Sequence, residues 1–239
     1  MSAIPMARPM EATVGKKVLV AVTGVVLYGF VFVHMLGNLQ LYEGPEKLNA
    51  YARLLRIEPA LLWAARLVLL GSVGVHAFLA LQLWLRNRAA RPSGYVKQRY
   101  VRADVFSRSM ILSGPFLGLF IVYHLLHLTV GSAHPSFDPE DVYANVVAGF
   151  SVPVVSIVYV LAMLALGFHL FHGGFSLLQT LGLRTPRWEP LQKKALAAIA
   201  VLIVVVNCSF PIAVLTGFVR ATPPAAATTA PGGAIGVER

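Results

Sequence analysis

The sequence predicts an all-α integral membrane protein: a bundle of five transmembrane helices with the N-terminus cytoplasmic and the C-terminus outside. Three observations predict it. Of 239 residues, 57% are hydrophobic and 13% charged, with a mean hydropathy of +0.70, whereas a soluble domain carries roughly a quarter charged residues. The apolar residues fall in blocks of about twenty or more, the length needed to cross ~30 Å of hydrocarbon at ~1.5 Å per residue. The basic residues lie between these blocks, which explains the formal charge of +10 by orientation in a bilayer rather than by a nucleic-acid partner.

The blocks place spans at 17–38, 60–85, 108–131, 146–178 and 194–219. The first is retained, because the segment before it is too long and lacks the small-residue cleavage site of a signal peptide. Apart from Lys17, Arg108 and Lys194 at span starts, Arg66 is the single charge within the spans. It costs several kcal/mol unless it is paired or snorkels to the interface. Glycine and proline inside the spans are tolerated where neighbouring helices satisfy the freed backbone groups. In span five, Asn207, Cys208 and Pro211 mark an expected kink. A β-barrel would instead show short segments of alternating hydrophobicity.

Loop charges set the orientation. With the N-terminus cytoplasmic, that side holds Arg8, Lys16, Lys17, Arg86, Arg88, Arg91, Lys97, Arg99, Arg102, Arg108, Arg184, Arg187, Lys193 and Lys194, fourteen of the twenty basic residues. The other side holds Lys47, Arg53, Arg56, Arg220 and Arg239, and its second loop carries the acids Asp138, Glu140 and Asp141. The positive-inside rule then fixes the topology. The basic 86–108 loop reads either as a topology determinant attracting anionic lipid or as a docking surface for a soluble partner. Residues 1–220 form the expected membrane domain; 221–239, rich in Ala, Pro, Thr and Gly, read as a disordered tail.

The chemistry lies in the histidines. His34, His76, His124 and His169 each sit late in one of the first four spans. Because successive spans run in opposite directions, His34 and His124 fall near the outer face, and His76 and His169 near the inner face. His34 is ~25 Å along its helix from the cytoplasmic start, and the two levels come out ~15–20 Å apart across the membrane. Two facing imidazoles at each level can supply both axial positions of a haem iron, and helix-bundle interiors are a usual home for such cofactors. The spacings from His34 to His76 and from His124 to His169 are similar, which hints at a duplicated hairpin.

Other chemistries fit less well. A lone cysteine, Cys208, cannot build a four-cysteine iron–sulfur cluster or a thiolate zinc site. A zinc or copper site, or a proton-driven transporter, would want a carboxylate in the membrane, and the spans contain no Asp or Glu. Gly71, Gly74, Gly173 and Gly174 lie inside apolar helices rather than at a strand-to-helix turn, so they form no dinucleotide fingerprint; close approach of a helix or porphyrin is their expected use. Any single membrane histidine can also serve packing alone, by bonding a neighbouring helix.

The segments FVFVHMLGN around His34, VGVHAFLALQ around His76, FIVYHLLHLT around His124 and GFHLFHGGFSLLQTLGL around His169 together resemble a known family. It is the cytochrome b membrane-anchor subunit of succinate dehydrogenases and fumarate reductases, of the five-helix, two-haem, single-polypeptide, cytochrome b558-like type found in bacteria. The resemblance implies two haems b, with His34 and His124 as axial ligands of the distal haem and His76 and His169 as those of the proximal one. His127 and His172 follow His124 and His169 by three residues and are alternatives by spacing. The resemblance selects His169 through Gly173 and Gly182 behind it, and His124 through the run from Phe120 to Tyr123 before it.

By the same resemblance, a flavoprotein and an iron–sulfur protein dock on the cytoplasmic face and oxidise succinate. This subunit then carries electrons through its haems to a membrane quinone, menaquinone before ubiquinone. No succinate-oxidising site resides in this chain, the location is the bacterial inner membrane, and the complex is open to oligomerisation. Some fumarate reductases of this type carry a glutamate two residues before the fourth ligand; Gly167 stands there, which favours succinate dehydrogenase over fumarate reductase or another membrane oxidoreductase. Arg66, His127 and His172 are candidates for haem propionate or supporting contacts, and Asn38, Gln40, Glu58 and His134 for quinone contacts. Glu58, before Pro59, also reads as a helix-start residue, and Arg66 equally as a snorkelling one. A haem-free anchor or transporter is the reading from a different class.

Overall fold

The computed structural model describes residues 13–90 and 105–221, and among these it is helical throughout, with no strand. Seven α-helices follow one another: α1 Thr13–Asn38, α2 Pro45–Leu54, α3 Pro59–Ala89, α4 Val105–Leu125, α5 Val142–Phe150, α6 Pro153–Thr180 and α7 Glu189–Leu215. A 3₁₀ turn, Leu39–Glu43, extends α1, and a π-helical turn, Leu126–Val130, extends α4. Five helices, α1, α3, α4, α6 and α7, are long and apolar enough to cross a membrane. The all-α class and the number of spans are thus the expected ones.

Three boundaries differ from expectation. The span expected over 146–178 is two helices, because Pro153 lacks an N–H and holds Val152 extended at φ −84°, ψ 111°, so that the chain turns between α5 and α6. Hydropathy cannot see this break, since both sides of it are apolar. Helix α2 was expected as loop; Pro45 at its first turn and Glu46 near its N-terminus start it. Helix α7 begins five residues before the expected 194, again on a first-turn proline, and continues through Pro211 to Leu215. The tail from 222 and most of the basic 86–108 loop lie outside the described residues.

The spans pack up and down. Helix α3 rests chiefly on α1, α4 on α6 and α6 on α7, with α1 also reaching α6 and α7. Close approach of α6 to α7 depends on Gly167 and Gly174, where a Cβ would lie 2.5 Å from Val204 Cγ2 and 2.7 Å from Leu196 Cδ2. Gly71, Gly74 and Gly173 have no atom within 4 Å of a Cβ position, so of the four glycines only Gly174 is closely approached by another helix.

One end of the bundle is capped. Asn49 on α2 donates to Asp141 Oδ1 (2.9 Å) and accepts from the Tyr143 amide (3.0 Å), while Asp141 caps α5 through the Ala144 amide. Tyr143 donates to the Arg220 carbonyl, and the hydroxyls of Tyr42 and Ser209 meet at 2.6 Å. The larger apolar core lies beneath this cap, formed by residues such as Leu41, Leu48, Phe120, Val147, Phe150, Tyr159 and Phe210. A smaller one, Met35, Leu170 and Ile203, joins α1, α6 and α7. At the opposite, open end Lys16 on α1, buried, donates to Gln82 on α3, and the α6–α7 loop carries Arg184 paired with Glu189 at 2.7 Å.

Candidate functional site

Helix direction brings the four late histidines into two facing pairs. His34 on α1 meets His124 on α4 with ring centres 6.0 Å apart, and His76 on α3 meets His169 on α6 at 6.3 Å. The first pair lies in the capped half and the second in the open half. Two rungs of the bundle measure their separation. His76 sits against Val20, Thr23 and Gly24 of α1, ten to fourteen residues before His34 on that helix, or ~15–21 Å at 1.5 Å per residue. Tyr159 touches His124 from α6, ten residues before His169 on that helix, which gives ~15 Å.

At the capped level the rings are flanked by aromatics. Phe30 stacks on His34 (5.3 Å, 17°) and Phe120 on His124 (5.9 Å, 28°). The Tyr159 hydroxyl lies 3.2 Å from His124 Nδ1 and 2.9 Å from His127 Nδ1. His127 is fully buried, stacked on Tyr123 at 5.4 Å and set 4.9 Å from the His134 ring. Its seat exists because residue 149 is glycine: a Cβ there would lie 2.6 Å from His127 Cε1. His134 donates from Nε2 to the Asn145 carbonyl (2.8 Å) and accepts at Nδ1 from the Ser136 amide (3.1 Å).

The open level is sparer. His76 Nδ1 donates to the Val20 carbonyl at 3.1 Å, with Thr23 Oγ1 at 3.3 Å. His169 Nδ1 is buried and has no hydrogen-bond partner. His172 is half-buried one turn further along α6.

The donor set is two imidazoles per level; among the described residues no three His, Cys, Asp or Glu side chains gather to hold a metal ion. Two imidazoles that face each other with ring centres 6.0 and 6.3 Å apart could hold one haem iron between them. An imidazole nitrogen orphaned in a buried position, as in His169, is costly unless a ligand completes the site. The residues present therefore fit a bis-histidine haem at each level.

The remaining sequence candidates are spread over the capped half. Arg66 lies over the exposed Trp63 ring at 5.0 Å near the start of α3. Asn38 ends α1, Gln40 is in the 3₁₀ turn and Glu58 occupies the N-cap position of α3 without a side-chain capping bond. His134 is brought to His127; Asn38 and Gln40 lie together where α1 runs into the 3₁₀ turn, and Glu58 lies apart at the start of α3. Sequence reasoning missed Tyr159, whose hydroxyl is the one polar group joining the two histidines of α4. Its only signal was a phenol in an apolar run, where a buried hydroxyl needs a partner.

No curated protein and no solved structure matches the chain. Residues 99–208, which include His124, Tyr159 and His169, match the family model described as succinate dehydrogenase/fumarate reductase transmembrane subunit. Over these 110 of its 239 residues, the five-span chain is similar to the succinate dehydrogenase/fumarate reductase transmembrane subunits.

Proposed function

We propose that the protein is the dihaem cytochrome b anchor of a succinate:quinone oxidoreductase. It receives electrons from an iron–sulfur subunit at the open, basic end and delivers them to a membrane quinone. The observation that carries this reading is the pair of facing imidazoles at each of two depths, 6.0 and 6.3 Å between ring centres.

Haem b at each level supplies a one-electron ferric/ferrous couple. This chain's residues hold and tune it. His34 with His124, and His76 with His169, would hold it. Val20 accepts from His76 Nδ1, and Tyr159 would accept from His124 Nδ1, so that each of these rings would keep its other nitrogen for the metal. Phe30 and Phe120 cover the capped-level imidazoles and keep water from them. The level spacing of ~15–21 Å spans much of a ~30 Å hydrocarbon core, so electrons cross most of the membrane within one chain.

Lys16, Lys17, Arg86, Arg88, Arg184, Arg187, Lys193 and Lys194 lie at the open end, which makes that end cytoplasmic under the positive-inside rule and the docking side for the flavoprotein and iron–sulfur subunits. The inner membrane of a bacterium is the matching location. Quinone, menaquinone in our reading, binds near the capped end, where Asn38, Gln40, Glu58 and His134 are its candidate polar contacts. Gly167 faces Val204 with no room for an acidic side chain, which supports the succinate-oxidising direction.

The test is a reduced-minus-oxidised spectrum of the intact complex, with succinate added before dithionite. Succinate-reducible b-type absorbance is the expected result. Absorbance that only dithionite elicits moves the function to another electron donor, and absence of haem rejects the cytochrome reading in favour of a haem-free anchor.

A further inference from the structure

The Tyr159 hydroxyl has one proton and stands between two imidazole nitrogens, His124 Nδ1 at 3.2 Å and His127 Nδ1 at 2.9 Å. It can donate to only one of these rings, and it accepts from a ring whose Nδ1 carries a proton. If His124 is a ligand through Nε2, as proposed above, its Nδ1 carries the proton and donates to Tyr159. The Tyr159 proton must then go to His127 Nδ1. That makes His127 the Nε2–H tautomer, with a fully buried Nε2 that has no partner.

With His124 as the ligand, the direction of these bonds follows from geometry and proton count. It excludes His127 as a ligand through Nδ1 and gives it another task. Tyr123 stacked at 5.4 Å, the His134 ring at 4.9 Å and the absent side chain of Gly149 hold the His127 ring where it accepts from Tyr159. His134 is locked in turn by the Asn145 carbonyl and the Ser136 amide.

We propose that Tyr159, oriented by His127, is the positioning residue of the capped-level ligand His124, fixing its tautomer and its electron-donating strength. This rests on the haem reading of the site. The open-level ligand His76 has a backbone carbonyl in the same role, with Thr23 Oγ1 beside it at 3.3 Å, so a side-chain change acts more strongly at the capped level. An acceptor on the distal nitrogen of a ligating imidazole makes the ring a better donor and favours the ferric state.

The experiment is a redox titration of both haem couples, with haem counted per chain, in the full-length protein within its complex. In Tyr159→Phe the capped-level couple is expected to move to higher potential, by about tenfold in the oxidised-to-reduced ratio at fixed poise, ~59 mV for one electron; the open-level couple stays in place. His127→Leu moves it in the same direction, and His127→Gln, which keeps an acceptor for the Tyr159 hydroxyl, restores the wild-type value. Should Tyr159→Phe fail to assemble, the Leu and Gln pair decides, and identical behaviour of the two overturns the proposal. Two haems in the wild type with an unmoved capped-level couple in Tyr159→Phe overturn this inference alone. A wild type without haem overturns the reading beneath it as well.

Discussion

The two histidine levels share one geometry but differ in support. At the capped level the rings stand within a folded cap, a large apolar core and a chain of side chains running from His124 through Tyr159 to His127. At the open level His76 leans on a main-chain carbonyl of α1, and His169 has an orphaned nitrogen. Helix α3, which carries His76, has 6% of its most apolar stretch buried, against 33% for α7. The capped level is built by protein–protein packing and its chemistry is adjustable through side chains; the open level depends more on whatever the two imidazoles hold between α3 and α6.

That contrast can be broken by removing one ligand at a time. His124→Leu is expected to remove one haem per chain and leave the open-level haem in place, whereas His169→Leu removes the open-level haem and loosens α3, read as protease sensitivity. His172→Leu keeps both haems; loss of a haem in His172→Leu but not in His169→Leu would exchange their roles. Gly167→Glu is expected next in size, because its side chain collides with Val204 and brings a charge between α6 and α7. A cost beyond the ~1–3 kcal/mol of ordinary overpacking should appear as a lower unfolding temperature and poor assembly.

Gly149→Ala sharpens the comparison further. It crowds His127, so it should cost about 1–3 kcal/mol and perturb the capped-level spectrum while sparing the other. Thr23→Val removes a hydroxyl 3.3 Å from His76 Nδ1 but leaves the Val20 carbonyl in place, so an effect below ~1 kcal/mol and a small shift of the open-level couple alone are expected. The smallest effect belongs to Arg66→Gln. With its guanidinium over exposed Trp63, Arg66 should influence neither couple, and a shift at the capped level would restore it as a propionate partner.

The five spans were legible because hydropathy over a membrane-length stretch reports burial in lipid regardless of tertiary detail. The pairing of His34 with His124 and His76 with His169 was legible too, since antiparallel connection fixes which late residues share a depth. What sequence could not supply came from contacts between distant segments. The cap is held by Asn49 reaching Asp141 and Tyr143, ninety or more residues away. The turn at Pro153 hides in a continuous apolar run, since hydropathy is blind to a missing N–H. Tyr159 lies thirty-five residues from His124, and only the packing of α4 on α6 unites them. Arg66 had two readings on sequence, as a propionate partner and as a snorkelling cation, and its place over Trp63 is compatible with either.

The central claim is two bis-histidine haem sites in one chain. Its most direct measurement is haem content per polypeptide in the purified subunit, combined with the spin state of the oxidised protein. The account predicts two haems b per chain, both six-coordinate and low-spin with two imidazole ligands. One haem or none per chain, or a high-spin signal from a five-coordinate iron at either level, would contradict it.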